Sequence, residues 1–198
     1  MFEPDIVRFS ATDNDGTCLN DACIIVARDD YPGVKKAAYN LSNDLSTVLD
    51  QAPTAVSEPV LDEQDSIPAT NTAIIVGSIE SSSILKRLAE NGKIDVKSLQ
   101  GKWESFMTTV LKDPIDGIQH ALVIAGSDKR GAIYGIYTLS EQIGVSPYVL
   151  PFIFNPGFRD IRPRSDLFVA GTGGQTSYLE DKRLFLLLIR RRSMASRA

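Results

Sequence analysis

The stretch from Ala121 to Pro147, ALVIAGSDKRGAIYGIYTLSEQIGVSP, constrains the fold of this chain more than any other. An apolar run over His120 to Ala125 stops at Gly126, and a charged turn, Ser127-Asp128-Lys129-Arg130, follows. A helical pattern then begins at once, from about Asp128 to Ile143, with Ile133, Ile136, Tyr137 and Ile143 on one stripe and Gly144 and Pro147 as its stop. A buried strand feeding directly into a helix is the unit of α/β architecture, and ligands of α/β proteins gather at such strand ends.

Two further runs repeat the unit. Cys23 to Ala27 reads as a buried strand. Asp29, Asp30 and Pro32 open a helix whose apolar positions are Val34, Ala37, Ala38, Leu41, Leu45, Val48 and Leu49, and Pro53 ends it. Ala73 to Gly77 reads as a second buried strand, followed by a helix over Ser81 to Asn91 with Leu85 and Leu88 inward and Asn91-Gly92 as its stop. Thr54 to Val60 has the character of a weak edge strand, and Leu61 to Asn71 that of a polar connection. Lys102 to Leu111 is rich in β-formers, with a turn at Pro114 to Gly117. The expected fold is α/β: a mixed β-sheet of about four or five strands packed by two to four helices, followed by an irregular C-terminal tail. The domain organisation expected is a lead-in over residues 1–20, the α/β domain over 21–147, and a divergent, poorly ordered tail over 148–198.

Charge sets the tail apart. Residues 149–198 hold nine Lys or Arg and four Asp or Glu, whereas the first 148 hold 12 and 21. The whole chain of 198 residues has a net charge of -4, which speaks against nucleic acid as a partner. Its longest apolar run, Leu184 to Ile189, falls far short of the roughly 18 residues of a membrane span. Met1 to Asn20 shows no apolar core of a secretory signal. Cys18 and Cys23 are the only cysteines, and Cys23 reads as a buried free thiol. The single histidine, His120, leaves little room for a zinc site or a His-based triad, so neither metal nor cofactor is expected.

Gly126 to Gly131 resembles a phosphate loop in outline only. A P-loop places Lys and then Ser or Thr after its second glycine, where this chain has Ala132 and Ile133. The dinucleotide fingerprint fails as well, because no glycine follows Gly126 by two residues. Two readings of Ser127, Asp128, Lys129 and Arg130 stay open. In one, an anion meets the helix start beside the two basic residues. In the other, Ser127 or Asp128 caps the helix and the basic pair faces solvent or a neighbouring domain. Asp29 and Asp30 read as helix caps rather than as a catalytic pair. Trp103 reads as a core or interface anchor, with stacking on a sugar ring as the functional alternative. Asn40-Leu41-Ser42 is a glycosylation sequon placed inside a helix.

Taken together, AIIVGSI (73–79), GKWESF (101–106), the 27 residues from Ala121 and the Asp29 to Val34 turn resemble the N-terminal domain of glycoside hydrolase family 115, the xylan α-1,2-glucuronidases. The resemblance covers about residues 21–147. It implies an α/β domain preceding a (β/α)8 barrel that carries the acids removing glucuronic acid, or its 4-O-methyl form, from xylan, with inversion by two carboxylates and a water. It implies glucuronoxylan or other glucuronic-acid-bearing sugars as partners in the context of a full enzyme, and export from the cell.

The barrel is expected to begin soon after Pro147 with a tryptophan-rich segment, and needs at least ~200 residues. Here the chain continues Tyr148-Val149-Leu150-Pro151-Phe152 instead. The expectation is therefore a truncated or mis-spliced product: a non-catalytic accessory domain, inactive alone, with no catalytic residue carried over. Ser127, Asp128, Lys129 and Arg130 are then the candidates for a substrate-cleft or interdomain contact. The alternative from another class is a small α/β binding protein for an anionic sugar or metabolite.

Overall fold

The computed structural model describes residues 7–9, 16–49, 56–57, 70–145 and 167–170. Its centre is a five-stranded mixed sheet. Strands β3 (Cys23–Val26), β4 (Val56–Ser57), β5 (Thr72–Ser78) and β7 (Ile118–Gly126) run parallel, and β6 (Phe106–Ile115) lies antiparallel on β7, in the order β4-β3-β5-β7-β6. Three helices pack on it: α1 (Pro32–Leu49), α2 (Ser83–Glu90) and α3 (Lys129–Gln142). The α/β architecture matches the expectation, and the three central strands lie where the uninterrupted apolar runs place them.

Those runs are continuous because both faces of the strands are covered. Ile24, Val26, Ile74, Val76, Leu122 and Ile124 point to one face, where α1 and α3 bring Leu41, Leu45, Ala132, Ile136 and Leu139. Ile25, Ala27, Ile75, Val123 and Ala125 point to the other, against Ile84, Leu85 and Leu88 of α2 together with Leu99. Every apolar α1 position read from the sequence is buried. Burial of each such Leu or Ile side chain contributes about 1.5–3 kcal/mol.

Three local readings change. Strand β6 begins at Phe106, so Lys102 to Ser105 are loop rather than strand. Pro114 lies inside β6, which tolerates it as an edge strand, and the turn narrows to Asp116-Gly117, with Gly117 at φ 88°. The buried side of α3 extends beyond the expected stripe to Gly131, Ala132, Tyr134, Gly135, Leu139 and Ser140; of the stripe itself Ile136 and Ile143 are buried, and Ile133 and Tyr137 pack half-buried against the same core. The cause is close approach. A Cβ on Gly135 would meet Ile124 and Phe106, so small residues are selected where the helix crosses β7 and β6.

A second sheet has three strands in the order β1-β8-β2. Strands β1 (Val7–Phe9) and β2 (Gly16–Cys18) both pair antiparallel with β8 (Leu167–Ala170). The lead-in thus supplies two strands and the tail one. The expectations for the rest of the lead-in, most of the 61–71 connection, Pro147 and the rest of the tail, including the Leu184–Ile189 run, lie outside the described residues.

Because α1 leaves β3 toward one face and α2 leaves β5 toward the other, the carboxyl ends of β3 and β5 flank a topological switch point. This edge is where an open α/β sheet opens a crevice for ligands.

Candidate functional site

The β7–α3 turn lies at this carboxyl edge, and the structure locks it to the loop that precedes β6. Asp128 is the N-cap of α3: its Oδ1 accepts from the Gly131 N–H at 2.7 Å and its Oδ2 from the Glu104 N–H at 2.9 Å. Ser127 is buried; its N–H donates to the Ser105 carbonyl at 2.8 Å, and its Oγ accepts from the Ser105 N–H at 3.0 Å. Arg130 pairs with Glu104 (Nη1 to Oε1, 2.8 Å) and donates from Nη2 to the Tyr134 hydroxyl at 3.2 Å. Lys129 is exposed.

Of the four residues read from the sequence, Ser127 and Asp128 therefore hold the fold together, Arg130 is half-engaged, and Lys129 faces solvent. Their partners, Glu104 and Ser105, carry no motif in the sequence that pairs them with the turn. Glu104 sits at φ 52°, a conformation costly for a non-glycine residue, and these bonds hold it there. The helix packs so closely on the loop that a Cβ built on Gly131 would overlap the Ser105 carbonyl oxygen, and one on Gly126 would overlap the Ala132 backbone.

A second network fills the switch point. Asp30 is buried between β3 and β5 and accepts three hydrogen bonds: from the Ser78 N–H (2.9 Å), the Ser78 hydroxyl (3.1 Å) and the Tyr31 N–H (2.7 Å). Burial pushes its carboxyl above the usual range, against the hydrogen bonds that pull it down. Gly77 makes room for it, since a Cβ there would stand 2.8 Å from Asp30 Oδ2 and from Ser82.

Asp29 reaches the start of α2, its Oδ1 accepting from the Ser83 N–H (3.3 Å) and hydroxyl (3.0 Å), with Ser82 as the N-cap. The sequence places this pair as caps of the helix that opens at Pro32; Asp29 instead reaches the start of α2. Asp30 does something the local sequence does not disclose: it ties the end of β3 to the end of β5. The Tyr31 hydroxyl donates to Glu80 at 3.3 Å, and the Glu80 charge holds the phenol above its usual range.

Electrostatically, the edge does not welcome anions at its helix starts. The N-termini of α2 and α3 point their amides at carboxylates of the chain itself, Asp29 and Asp128. These occupy the positions that a phosphate would take. Among the described residues, no group of three His, Cys, Asp or Glu side chains is placed to hold a metal ion. His120 is at the far end of β7 from this edge, opposite Thr72. Cys23 is buried with its Sγ 3.4 Å from the Thr70 hydroxyl, and desolvation pushes its thiol up. The Asn40 amide donates to the Tyr137 hydroxyl at 3.0 Å between α1 and α3.

Besides Lys129, a larger side chain at the edge is left out of these networks. Trp103, the residue before the pinned Glu104, is 82% exposed. Its carbonyl accepts from the Ser105 hydroxyl at 3.0 Å, which fixes its backbone while its ring stands in solvent.

No family model and no curated protein matches the chain. Among solved structures it is similar to "a novel family GH115 4-O-Methyl-alpha-glucuronidase, BtGH115A, with specificity for decorated arabinogalactans". That match has 31% identity and a TM-score of 0.48, over 73% of this chain and 15% of the other. It is also similar to CpGH84D, at 14% identity and a TM-score of 0.45, over 85% of this chain and 22% of the other. The chain thus spans less than a quarter of the length of either protein.

Proposed function

We propose that residues 21–147 form a non-catalytic α/β accessory domain of a glycoside hydrolase of the xylan α-1,2-glucuronidase kind. In this reading its carboxyl edge forms part of a substrate cleft or an interdomain contact. The observation that carries the proposal is the convergence of the segments on which the sequence resemblance rests. AIIVGSI leaves its strand at Ser78, GKWESF ends at Phe106, and the long run turns at Gly126. Ser78, Gly126 and Phe106 are register partners in one row across β5, β7 and β6. Residues scattered over the sequence thus meet at a single sheet edge, beside the Asp29-Asp30 turn. In this reading Ser127 and Asp128 shape the edge, and Lys129 and Arg130 are the side chains that meet a sugar or a neighbouring domain.

Two of the acids at the edge are committed to the fold, which supports a non-catalytic role. Asp30 is buried and committed to Ser78 and Tyr31, and Asp128 to Gly131 and Glu104. A general acid or a nucleophile has to face the glycosidic bond. The purified chain is expected to release no glucuronic acid or 4-O-methylglucuronic acid from glucuronoxylan or from glucuronic-acid-decorated arabinogalactan, assayed by anion-exchange chromatography of the products. Release at a rate that scales with protein concentration would refute the proposal.

A further inference from the structure

We propose that Trp103 is the stacking face of a saccharide-binding site on this chain, with Lys129 beside it to favour sugars that carry a carboxylate; the sugar class rests on the function proposed above. Three features of the structure lead to this. The first is exposure: the indole is 82% exposed, and the other exposed large hydrophobic among the described residues is Tyr39, on α1.

The second is rigidity. The backbone around Trp103 is held by bonds from Glu104 to Asp128, from Ser105 to Ser127 in both directions and from the Ser105 hydroxyl to Trp103 itself, with the Arg130–Glu104 ion pair alongside. A loop whose backbone is already fixed has little ordering left to lose when the side chain it carries binds.

The third is setting. The buried core of a protein–protein interface is more apolar than the surface around it and poor in charged residues. Trp103 stands instead between Lys102 and Glu104, next to the turn that carries exposed Lys129 and a half-exposed Arg130. An aromatic face framed by charged and hydrogen-bonding groups suits a pyranose ring. Its C–H face lies on the indole, and its hydroxyls and carboxylate reach the polar rim.

Trp103 is the only tryptophan of the chain, so its fluorescence reports on this site alone. The full chain is titrated with xylotetraose and with xylotetraose bearing one glucuronic acid, following emission wavelength and intensity. Both sugars are expected to give a saturable shift, the charged one at lower concentration. Trp103→Ala is expected to weaken binding by about tenfold or more in calorimetry while leaving Tm unchanged. Lys129→Ala is expected to remove the preference for the charged sugar. Absence of any saturable shift with either sugar overturns this proposal and leaves the accessory-domain reading standing. A shift driven by protein concentration without sugar overturns it too, in favour of self-association through Trp103. Release of glucuronic acid by the chain, by contrast, strikes the accessory-domain reading itself.

Discussion

Asp30→Ala is expected to destabilise the domain by about 3 kcal/mol, because it takes their shared acceptor from two buried donors and one half-buried donor at the switch point. The Ser78 N–H and hydroxyl and the Tyr31 N–H all donate to this one carboxylate, which is buried at the junction of two parallel strands. For a domain of this size the loss corresponds to a fall in Tm of roughly 10 °C. Asp29→Ala serves as the control. Its bonds to Ser83 are exposed, so its cost is expected to stay below about 1 kcal/mol. Equal effects for the two neighbours would contradict the assignment of Asp30 as the tie between β3 and β5.

The same residue gives a pH signature. Burial raises the folded-state value of Asp30 above its ordinary 3.8. Between those two values the native state binds more protons than the unfolded chain, so this group's contribution to stability falls as the pH rises through the window and is constant above it. Asp30→Asn is expected to flatten that segment of the curve, measured as urea midpoints across the acid range. A slope of opposite sign at this residue would show that its hydrogen bonds outweigh its desolvation.

Gly131→Ala is expected to be destabilising by about 2–3 kcal/mol, although alanine normally gains about 1 kcal/mol over glycine inside a helix. The reversal follows from the clamp. The new Cβ would overlap the Ser105 carbonyl oxygen. That oxygen belongs to backbone, which moves only if the 103–105 loop lifts and gives up its bonds to Ser127 and Asp128. Chemical unfolding measures the energy, and a fall in the fluorescence anisotropy of Trp103 reports the loosened loop. A variant that is more stable than the parent would mean that the loop does not bear on the helix start.

These two sites show how much could be read from residues alone. Strands β3, β5 and β7 were legible because burial on both faces leaves an unbroken apolar run, and α1 because its apolar stripe and its cores coincide residue for residue. The inner face of α3 was legible in part. Of its stripe, Ile136 and Ile143 are buried and Ile133 and Tyr137 pack half-buried against the same core, but close contact with Ser105, Ile124 and Phe106 also selects Gly131 and Gly135, which hydrophobicity does not mark.

The β-forming character of Lys102 to Ser105 was likewise misleading, because tertiary hydrogen bonds hold that segment as a loop with Glu104 at positive φ. The Asp30–Ser78 tie spans 48 residues, and the pairing of β8 with β1 and β2 joins the two ends of the sequence. Nothing local announces either. Within the Ser127–Arg130 turn, the capping role of Asp128 was visible from position, but the partnership of the turn with Glu104 and Ser105 was not.

The central claim is that the chain's own carboxylates close the helix starts at this edge, so that its open face is Trp103 and Lys129. Amide and indole NMR of the labelled chain tests it most directly, with ATP and a glucuronic-acid-bearing xylo-oligosaccharide titrated in turn. The expected result is that the Gly131 and Ser83 amides stay in place with ATP, while the Trp103 indole signal moves saturably with the saccharide. Saturable movement of those amides with ATP, and a Trp103 signal unmoved by sugar, would contradict it.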